Sequence, residues 1–243
     1  MASASFHELG DGRRIAFRHN PGTGPGIVFL PGYMSDMTGS KATALWDWAQ
    51  EAGRECLLFD YSGCGESPGD FADGSLSRWR EEAVSLIEAK LRGPAVLVGS
   101  SMGGWLMLLV AQALPDRVRG LVGIAAAPDF TDWGYDMDEQ RRLAGGETLL
   151  RHNPYGPEPT PTHPGFWQDG QLQRVLGAQI ALDAPLRLLH GQDDAEVPPE
   201  ISLRLARAVR GDDVQTTFVK GGDHRLSRPQ DIGLLLRTVA EIV

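Results

Sequence analysis

The stretch that decides the fold reads AVLVGSSMGGWLMLL over residues 95–109. Four apolar residues run into the pattern G-x-S-x-G centred on Ser101, and an apolar helical run leaves it. The pattern predicts a strand that turns sharply into a helix, with Gly99 and Gly103 placed where the two backbones meet. Such a turn lifts the Ser101 hydroxyl clear of the sheet at a helix N-terminus, where the dipole favours developing negative charge. Ser101 is therefore the candidate nucleophile, since the neighbouring Ser100 lacks glycines at these offsets.

Outward from this stretch, short apolar segments alternate with segments of helical periodicity. Two segments that flank Gly10-Asp11-Gly12 predict an antiparallel hairpin near the start of the chain. Apolar runs of strand length follow at residues 26–30, 56–59, 95–98, 121–126, 186–189 and 214–219. Helical patterns occupy residues 40–53, 76–91, 102–114, 199–209 and 228–242. This alternation predicts an α/β fold, with a mostly parallel eight-stranded sheet and helices on both faces.

Residues 128–183 interrupt the alternation and predict a cap inserted into a single domain of residues 1–243. The segment shows no strand pattern, but it carries large aromatic residues and five prolines between residues 154 and 164. Because a connection this long is seldom plain loop in a compact domain, we expect it to cover the carboxyl ends of the strands, where ligands bind. A surface excursion anchored by its aromatic residues is the alternative. The predicted walls of an apolar substrate pocket are Trp105, Trp133, Tyr155, Phe166 and Trp167.

A serine hydroxyl is a weak nucleophile until an adjacent base takes its proton. Four of the six histidines lie in the N-terminal hairpin region or in the insert. His190 ends a strand, where a structural or supporting role fits better than catalysis. His224 remains, in a glycine-containing loop directly after the strand at residues 214–219. A loop at that position carries an imidazole over the carboxyl edge of the sheet, so His224 is the candidate base.

The imidazole in turn needs a carboxylate that fixes its tautomer and stabilises its charged form. The segment HGQDDAEVP at residues 190–198 follows the penultimate strand and offers Asp193 and Asp194. Asp194 is the preferred candidate, with Asp193 as a solvated turn residue. Asp129, which follows the strand at residues 121–126, is an alternative because an acid there can also reach the histidine.

Acyl transfer also requires N–H donors for the oxyanion. One predicted donor is the backbone N–H of Met102, the residue after the nucleophile. The second is the N–H of Tyr33, in the turn after the strand at residues 26–30. One such donor is worth about 2.7–4 kcal/mol of transition-state stabilisation.

These segments resemble the α/β-hydrolase superfamily over nearly the whole chain. The matching pieces are LPGY (30–33), FDYSGCGES (59–67), VGSSMGGW (98–105), LHGQDDAEVP (189–198) and GDH (222–224). Within the superfamily, LPGYMSDM, DYSG and GSSMGGWLML are similar to the group that contains depalmitoylating thioesterases and acyl-glucuronide esterases. The resemblance implies a Ser-Asp-His serine hydrolase that cleaves acyl esters or thioesters without a cofactor. It also favours Asp194 over Asp193.

Composition narrows the partners and the location. The chain carries 23 Lys and Arg against 32 Asp and Glu, a formal net charge of −9, and no basic tract, which disfavours nucleic acid as a partner. Glycines and serines interrupt the uncharged stretch at residues 93–115, so it predicts no membrane span. Cys56 and Cys64 predict reduced thiols, and no Cys/His spacing predicts a metal site. Residues 1–14 lack the apolar core of a signal peptide, so the sequence predicts a cytoplasmic protein.

Residue identity leaves other reactions open. The same three side chains also serve lactone hydrolysis, C–C bond hydrolysis and peroxide chemistry, and the fold also serves as a non-catalytic binding module. The predicted partner is a small-molecule or acylated substrate, and no sequence feature indicates an oligomeric state.

Overall fold

The computed structural model describes residues 3–154 and 156–243. Its strands are β1 (Ser5–Glu8), β2 (Arg14–Asn20), β3 (Thr23–Leu30), β4 (Arg54–Phe59), β5 (Ala95–Ser100), β6 (Val118–Ile124), β7 (Leu149–Arg151), β8 (Thr160–Thr162), β9 (Leu186–Gly191) and β10 (Val214–Val219). Eight of them form one sheet in the order β1-β2-β4-β3-β5-β6-β9-β10. Only β2 runs antiparallel to its neighbours, and the remaining pairs of that sheet are parallel. The predicted eight-stranded, mostly parallel sheet with an antiparallel start is confirmed.

Helices cover both faces of this sheet. They are α1 (Ser40–Glu51), α2 (Leu76–Lys90), α3 (Met102–Ala113), α4 (Phe130–Trp133), α5 (Met137–Ala144), α6 (Pro164–Leu172), α7 (Glu200–Ala208) and α8 (Pro229–Ala240). Helices α1 and α8 pack with one set of strand residues, including Ile27, and α2 and α3 pack with the alternate set, including Val28. Because successive side chains of a strand point to opposite faces, a sheet covered on both sides needs apolar residues at every position. This is why the central strands read as unbroken apolar runs.

The most apolar helix, α3, is buried within the protein. Ten of its twelve residues are buried, and its neighbours include β3, β5 and α2. Within residues 3–154 and 156–243, no helix combines the length and the apolar character needed to cross a bilayer. The longest of them, α2, has 15 residues, whereas a span needs about 20.

Residues 128–183 carry more regular structure than the sequence indicated. Besides α4, α5 and α6, the segment contains the antiparallel pair β7–β8, joined from Leu149–Thr162 to Arg151–Thr160. The expectation of no strand in this segment was wrong, because each strand has three residues and β8 contains Pro161, too little for a visible alternation.

Two carboxylates hold this segment in place. Asp129, near its start, accepts the N–H groups of Val175 and Leu176, near its end, at 2.7 and 2.8 Å. Asp169 accepts the N–H and the hydroxyl of Ser77, at 2.8 and 2.6 Å, at the start of α2. Asp129 therefore joins the two ends of the segment, and Asp169 attaches the segment to the N-terminus of α2.

Candidate active site

The turn from β5 into α3 has the strained geometry that the glycine pattern predicts. Ser101 has φ 55° and ψ −120°, a conformation that L residues rarely adopt. A Cβ at Gly99 would lie 2.3 Å from the carbonyl oxygen of Gly103, and one at Gly103 would lie 2.0 Å from that of Leu30. Neither separation is physically accessible, so both positions require glycine. The close approach of strand and helix leaves the Ser101 side chain at the edge of a cavity.

Backbone strain concentrates around this edge of the sheet. The non-glycine residues with positive φ in the described chain all lie in turns or loops that follow strands: Met34, Ser101, Ala125, Asp129 and Leu226. Such conformations cost of order 1–3 kcal/mol each, and they persist where the surrounding structure holds them in place. Their positions after β3, β5, β6 and β10 mark the carboxyl edge as the candidate site.

The structure brings together the three side chains that the sequence singled out. Nε2 of His224 lies 3.0 Å from Oγ of Ser101, and Nδ1 of the same ring lies 2.9 Å from Oδ2 of Asp194. The loops after β5, β9 and β10 supply these residues, so segments up to 123 residues apart in the chain meet at one point. With Nδ1–H donated to the carboxylate, the neutral ring presents the Nε2 lone pair to the serine hydroxyl, as a general base requires.

Asp194 is fixed by its own loop as well as by His224. Its Oδ1 atom accepts the backbone N–H groups of Glu196 and Val197, each at 2.9 Å. Burial by itself raises the pKa of the Asp194 carboxyl, but hydrogen bonds from His190 and His224 outweigh burial and hold that pKa well below its ordinary value. The carboxylate therefore stays ionised throughout the neutral range.

The other two acids considered from the sequence have different surroundings. Asp193 is exposed on the surface of the loop. The carboxylate of Asp129 is used by the N–H groups of Val175 and Leu176, and burial raises its pKa. Asp129 therefore joins the start of the segment 128–183 to its end, and the hydrogen bond with His224 distinguishes Asp194.

The turn after β3 packs directly against the candidate nucleophile. A Cβ at Gly32 would lie 3.4 Å from Cβ of Ser101, which puts Tyr33 beside the serine in the wall of the cavity. Met102 also lines the cavity, and as the first residue of α3 it has an N–H with no helical carbonyl partner. Both residues predicted as oxyanion donors thus lie next to Ser101.

A cavity of about 970 Å³ opens in front of Ser101 and His224. This volume lies at the upper end of the usual range for small-molecule sites, about 300–1,000 Å³. Its walls come from the β3–α1 turn, the turn that holds Ser101, residues within 127–135, 151–154 and 160–162, and the loops of Glu196 and His224. The segment after β6 therefore forms one side of the cavity.

Most of the aromatic residues expected to line this cavity lie elsewhere. Trp133 lines it, and its indole N–H donates to the carbonyl of Pro128. Trp105, Phe166 and Trp167 are absent from its lining, so the prediction is corrected for these three. Tyr155 lies outside the described residues.

Each corrected residue has a packing role instead. Trp105 is fully buried, and its indole N–H donates to the carbonyl of Gln173. The ring of Phe166 packs 4.8 Å from that of Tyr33, and the indole N–H of Trp167 donates to the carbonyl of Thr131. The contacts of Trp105 and Phe166 attach residues 128–183 to the body of the protein, and that of Trp167 lies within the segment. Composition alone does not separate such packing roles from substrate contact.

Other residues line the cavity without having been predicted. Phe130 and Tyr135 are two of them, and the Tyr135 hydroxyl lies 2.8 Å from Oγ1 of Thr162. The Arg151 guanidinium stacks 4.1 Å above the Tyr135 ring, which gives this wall a polar and charged part. The position of Phe130, six residues after β6 ends, was the one sequence signal available, because the residues that follow a strand's carboxyl end border such a site.

Comparison with known proteins bears on this arrangement. A family model described as alpha/beta hydrolase fold matches residues 25–146, and one for the prolyl oligopeptidase family matches residues 93–241. The palmitoyl-protein thioesterase ABHD10, mitochondrial, of Mus musculus is 36% identical over 248 aligned residues, which cover 100% of this chain and 83% of that protein. The chain belongs to the α/β-hydrolase family. The predictions of an α/β-hydrolase fold and of a serine hydrolase are confirmed.

Further members of the α/β-hydrolase family agree over the full length of the chain. The ABHD10 protein of Homo sapiens, with the same name, is 35% identical over 99% of this chain and 80% of its own. The structure of a putative hydrolase from Agrobacterium vitis S4 has a TM-score of 0.92 and 37% identity, with complete coverage of both chains. The mouse alpha/beta hydrolase domain-containing protein 10 also has a TM-score of 0.92, with 34% identity and coverage of 99% and 98%.

These relatives contradict one expectation. The sequence predicted a cytoplasmic protein, whereas the mouse, rat and human relatives are named as mitochondrial proteins. The prediction of location was wrong because it rested on the composition of the first residues alone, and that composition does not report the compartment of the family.

Proposed function

We propose that this protein hydrolyses acyl thioesters and acyl esters through a covalent acyl-enzyme on Ser101. The observation that carries the proposal is the hydrogen-bonded series from Oγ of Ser101 through His224 to Asp194, at 3.0 and 2.9 Å, beside a cavity of about 970 Å³. A nucleophile, a base and a carboxylate in this order have the geometry that acyl transfer requires.

In the first half of the reaction, Oγ of Ser101 attacks the acyl carbonyl carbon while Nε2 of His224 accepts the hydroxyl proton. The N–H groups of Met102 and Tyr33 donate to the oxyanion of the tetrahedral intermediate. The intermediate collapses with cleavage of the C–S or C–O bond, and His224 returns its proton to the departing sulfur or oxygen. The products are an acyl ester of Ser101 and a free thiol from a thioester, or a free alcohol from an oxygen ester.

In the second half, water replaces the leaving group. His224 accepts a proton from a water molecule as the water oxygen attacks the acyl-Ser101 carbonyl. Collapse of this intermediate breaks the bond to Oγ, which takes the proton back from His224. The carboxylic acid leaves, and the enzyme returns to its starting state with one water consumed for each acyl bond broken.

We propose S-acylated protein cysteine as the thioester substrate. The proposal is supported by relatives that are named palmitoyl-protein thioesterases. Their sequences are 35–36% identical to this one over 99–100% of this chain. A thiol is a better leaving group than an alcohol, since its pKa is near 8.5, so thioester cleavage depends less on proton return by His224. We therefore expect thioesters to be cleaved faster than the matching oxygen esters.

We further propose that residues 128–183 act as a cap within one domain of residues 1–243. The proposal is supported by the cavity wall that Phe130, Trp133 and Tyr135 provide, and by the attachment of Asp169 to Ser77 at the start of α2. A wall built from this segment would make it the part of the chain that selects the acyl group or its carrier.

The test is hydrolysis by the purified protein of matched thioesters and p-nitrophenyl esters with acyl chains of two to sixteen carbons, with Ser101→Ala as the matched control. A fluorophosphonate probe should label the wild-type protein and fail to label the variant. Lactone and C–C bond substrates belong in the same panel. Equal hydrolysis by the folded Ser101→Ala protein would refute the mechanism, and hydrolysis of lactones or C–C substrates alone would refute the substrate class.

A further inference from the structure

His190 lies directly beside Asp194 and is completely buried. It is the penultimate residue of β9, and its side chain is 0% exposed. Its Nδ1 atom lies 2.7 Å from Oγ of Ser202 on α7. Its Nε2 atom lies 2.9 Å from the carbonyl oxygen of Val197 and 3.3 Å from Oδ2 of Asp194. Both ring nitrogens therefore have partners, as a buried imidazole requires.

The partners of His190 determine where its proton lies. The carbonyl of Val197 and the ionised carboxylate of Asp194 can only accept hydrogen bonds, so Nε2 must carry a hydrogen. In the neutral ring, Nδ1 is then an acceptor, and the Ser202 hydroxyl donates to it. The Nε2–H of His190 donates to the Val197 carbonyl, and the same nitrogen lies 3.3 Å from Oδ2 of Asp194, the oxygen that accepts Nδ1–H of His224.

Three hydrogen-bond donors and the His190 ring surround the Asp194 carboxylate. Oδ1 accepts two backbone N–H groups, from Glu196 and Val197, and Oδ2 accepts Nδ1–H of His224 and lies 3.3 Å from Nε2 of His190. A carboxylate has about four acceptor positions, so three are filled by hydrogen bonds and His190 is the further polar neighbour of Oδ2. The group can then neither rotate nor take up a proton without losing a hydrogen bond.

We propose that His190 is a positioning residue for acyl transfer: its Nε2–H holds Oδ2 of Asp194 in line with Nδ1 of His224 and neutralises part of the carboxylate charge. This inference rests on the proposed function, because it assigns His190 a role only if His224 is the base. His190 contacts neither Ser101 nor the cavity, and it acts through Asp194 alone.

Because His190 and His224 both face Oδ2 of Asp194, loss of His190 has two consequences for His224. Without the His190 N–H, the Asp194 carboxylate can turn away from the line that joins its Oδ2 to Nδ1 of His224, so the rate of acyl transfer falls. It also leaves more negative charge facing His224, so the imidazole becomes more basic and the acid limb of the pH–rate profile moves to higher pH. Among the residues that the structure describes, the other charged side chain at ion-pair distance from His224 is Glu196, 3.8 Å from Nε2, and it is the same in wild type and variant.

The surroundings of His190 direct the electrostatic effect of a His190 substitution to Asp194. On the β10 side, its ring lies 6.3 Å from the Phe218 ring, and on the α7 side its partner is the Ser202 hydroxyl. Among the described residues, Asp194 is the charged group that His190 contacts. A change at His190 therefore reaches His224 through one carboxylate.

The experiment compares wild type, His190→Met, His190→Gln and Ser101→Ala in thioester hydrolysis over pH 5–9. Methionine fills the space without a donor, whereas the glutamine side-chain amide N–H can replace Nε2–H. We expect kcat of His190→Met to fall on the order of ten- to a hundredfold, as for one hydrogen bond to a charged group, with KM little changed and the acid limb moved to higher pH. His190→Gln should keep most of the wild-type kcat, and the acid limb of its pH–rate profile should lie at the wild-type pH.

Two results would overturn the proposal. One is a wild-type kcat and pH profile for His190→Met. The other is an equal loss of kcat in His190→Met and His190→Gln with no shift in the acid limb of the pH–rate profile. That result would mean that His190 only supports the fold. If His190→Met does not fold, as judged by thermal unfolding, ¹⁵N NMR of the wild-type histidine rings decides: a His190 ring protonated at Nε2 supports the proposal, and a neutral ring protonated at Nδ1 refutes it. Wild type no faster than Ser101→Ala would instead refute the proposed function.

Discussion

Replacing Asp194 with asparagine keeps the shape of the side chain and reverses one hydrogen bond. The single amide oxygen must take the Oδ1 position, because only an acceptor can face the N–H groups of Glu196 and Val197. The amide NH₂ then faces Nδ1 of His224, 2.9 Å away in the wild type, and that nitrogen must accept. The ring proton moves to Nε2, which donates to Ser101 and can no longer act as a base.

The size of the effect follows from the loss of the base. A reversed tautomer in such a triad lowers kcat by about 10⁴-fold, or about 5.5 kcal/mol of transition-state stabilisation. The assay is steady-state thioester hydrolysis at pH 7.5 by Asp194→Asn. The matched control is Asp193→Asn, since this exposed neighbour should keep wild-type activity. A folded Asp194→Asn protein within tenfold of the wild-type kcat would refute the reasoning.

Asp194→Asn should also change how the free energy of unfolding depends on pH. Because the pKa of Asp194 is held below its ordinary value, its charged form stabilises the fold above about pH 4, and that contribution is lost as pH falls through the lowered pKa. Asp194→Asn should therefore have a lower free energy of unfolding than wild type at pH 7, and the difference should shrink towards pH 3. Urea unfolding at the two pH values measures this, and a constant difference would contradict the assigned pKa direction.

Three further substitutions test the packing and electrostatics of the site. Gly103→Ala would place a Cβ 2.0 Å from a backbone oxygen, so we expect little folded protein, whereas Gly165→Ala, with open space around it, should fold normally; soluble yield and thermal unfolding decide. Asp129→Ala leaves two N–H groups without acceptors and should lower the free energy of unfolding by about 2–4 kcal/mol in urea; an unchanged value would exclude this role of Asp129. Glu196→Gln removes a negative charge near the His224 imidazole and should move the acid limb of kcat/KM down by a few tenths of a pH unit, since its side chain is 42% exposed; an upward shift would contradict the geometry.

The residues of the turn around Ser101 were predictable because their requirement is local. A strand that turns into a helix within a few residues brings two backbones together, and only glycine fits at Gly99 and Gly103. The alternation of strands and helices was predictable for a similar reason, since a sheet covered on both faces needs unbroken apolar strands.

The identity of the acid was partly predictable. The sequence favoured Asp194 and left Asp129 as an alternative, since both follow strands that end at the same edge. Only the folded chain shows that Val175 and Leu176 occupy the Asp129 carboxylate. These residues are 46 and 47 positions away in the chain, beyond the reach of any local pattern.

The amino-acid sequence by itself determined the strand–helix order, the two glycines around the candidate nucleophile Ser101, and the chain order of the candidates Ser101, Asp194 and His224, because these depend on local sterics and on which residues must be buried. The tertiary structure alone decided which aromatic side chains border the cavity and that His190 lies beside Oδ2 of Asp194. The physical reason is that a side chain in the segment 128–183 can satisfy its burial either in the core or in a cavity wall. Composition is the same in both cases, and only long-range packing chooses between them.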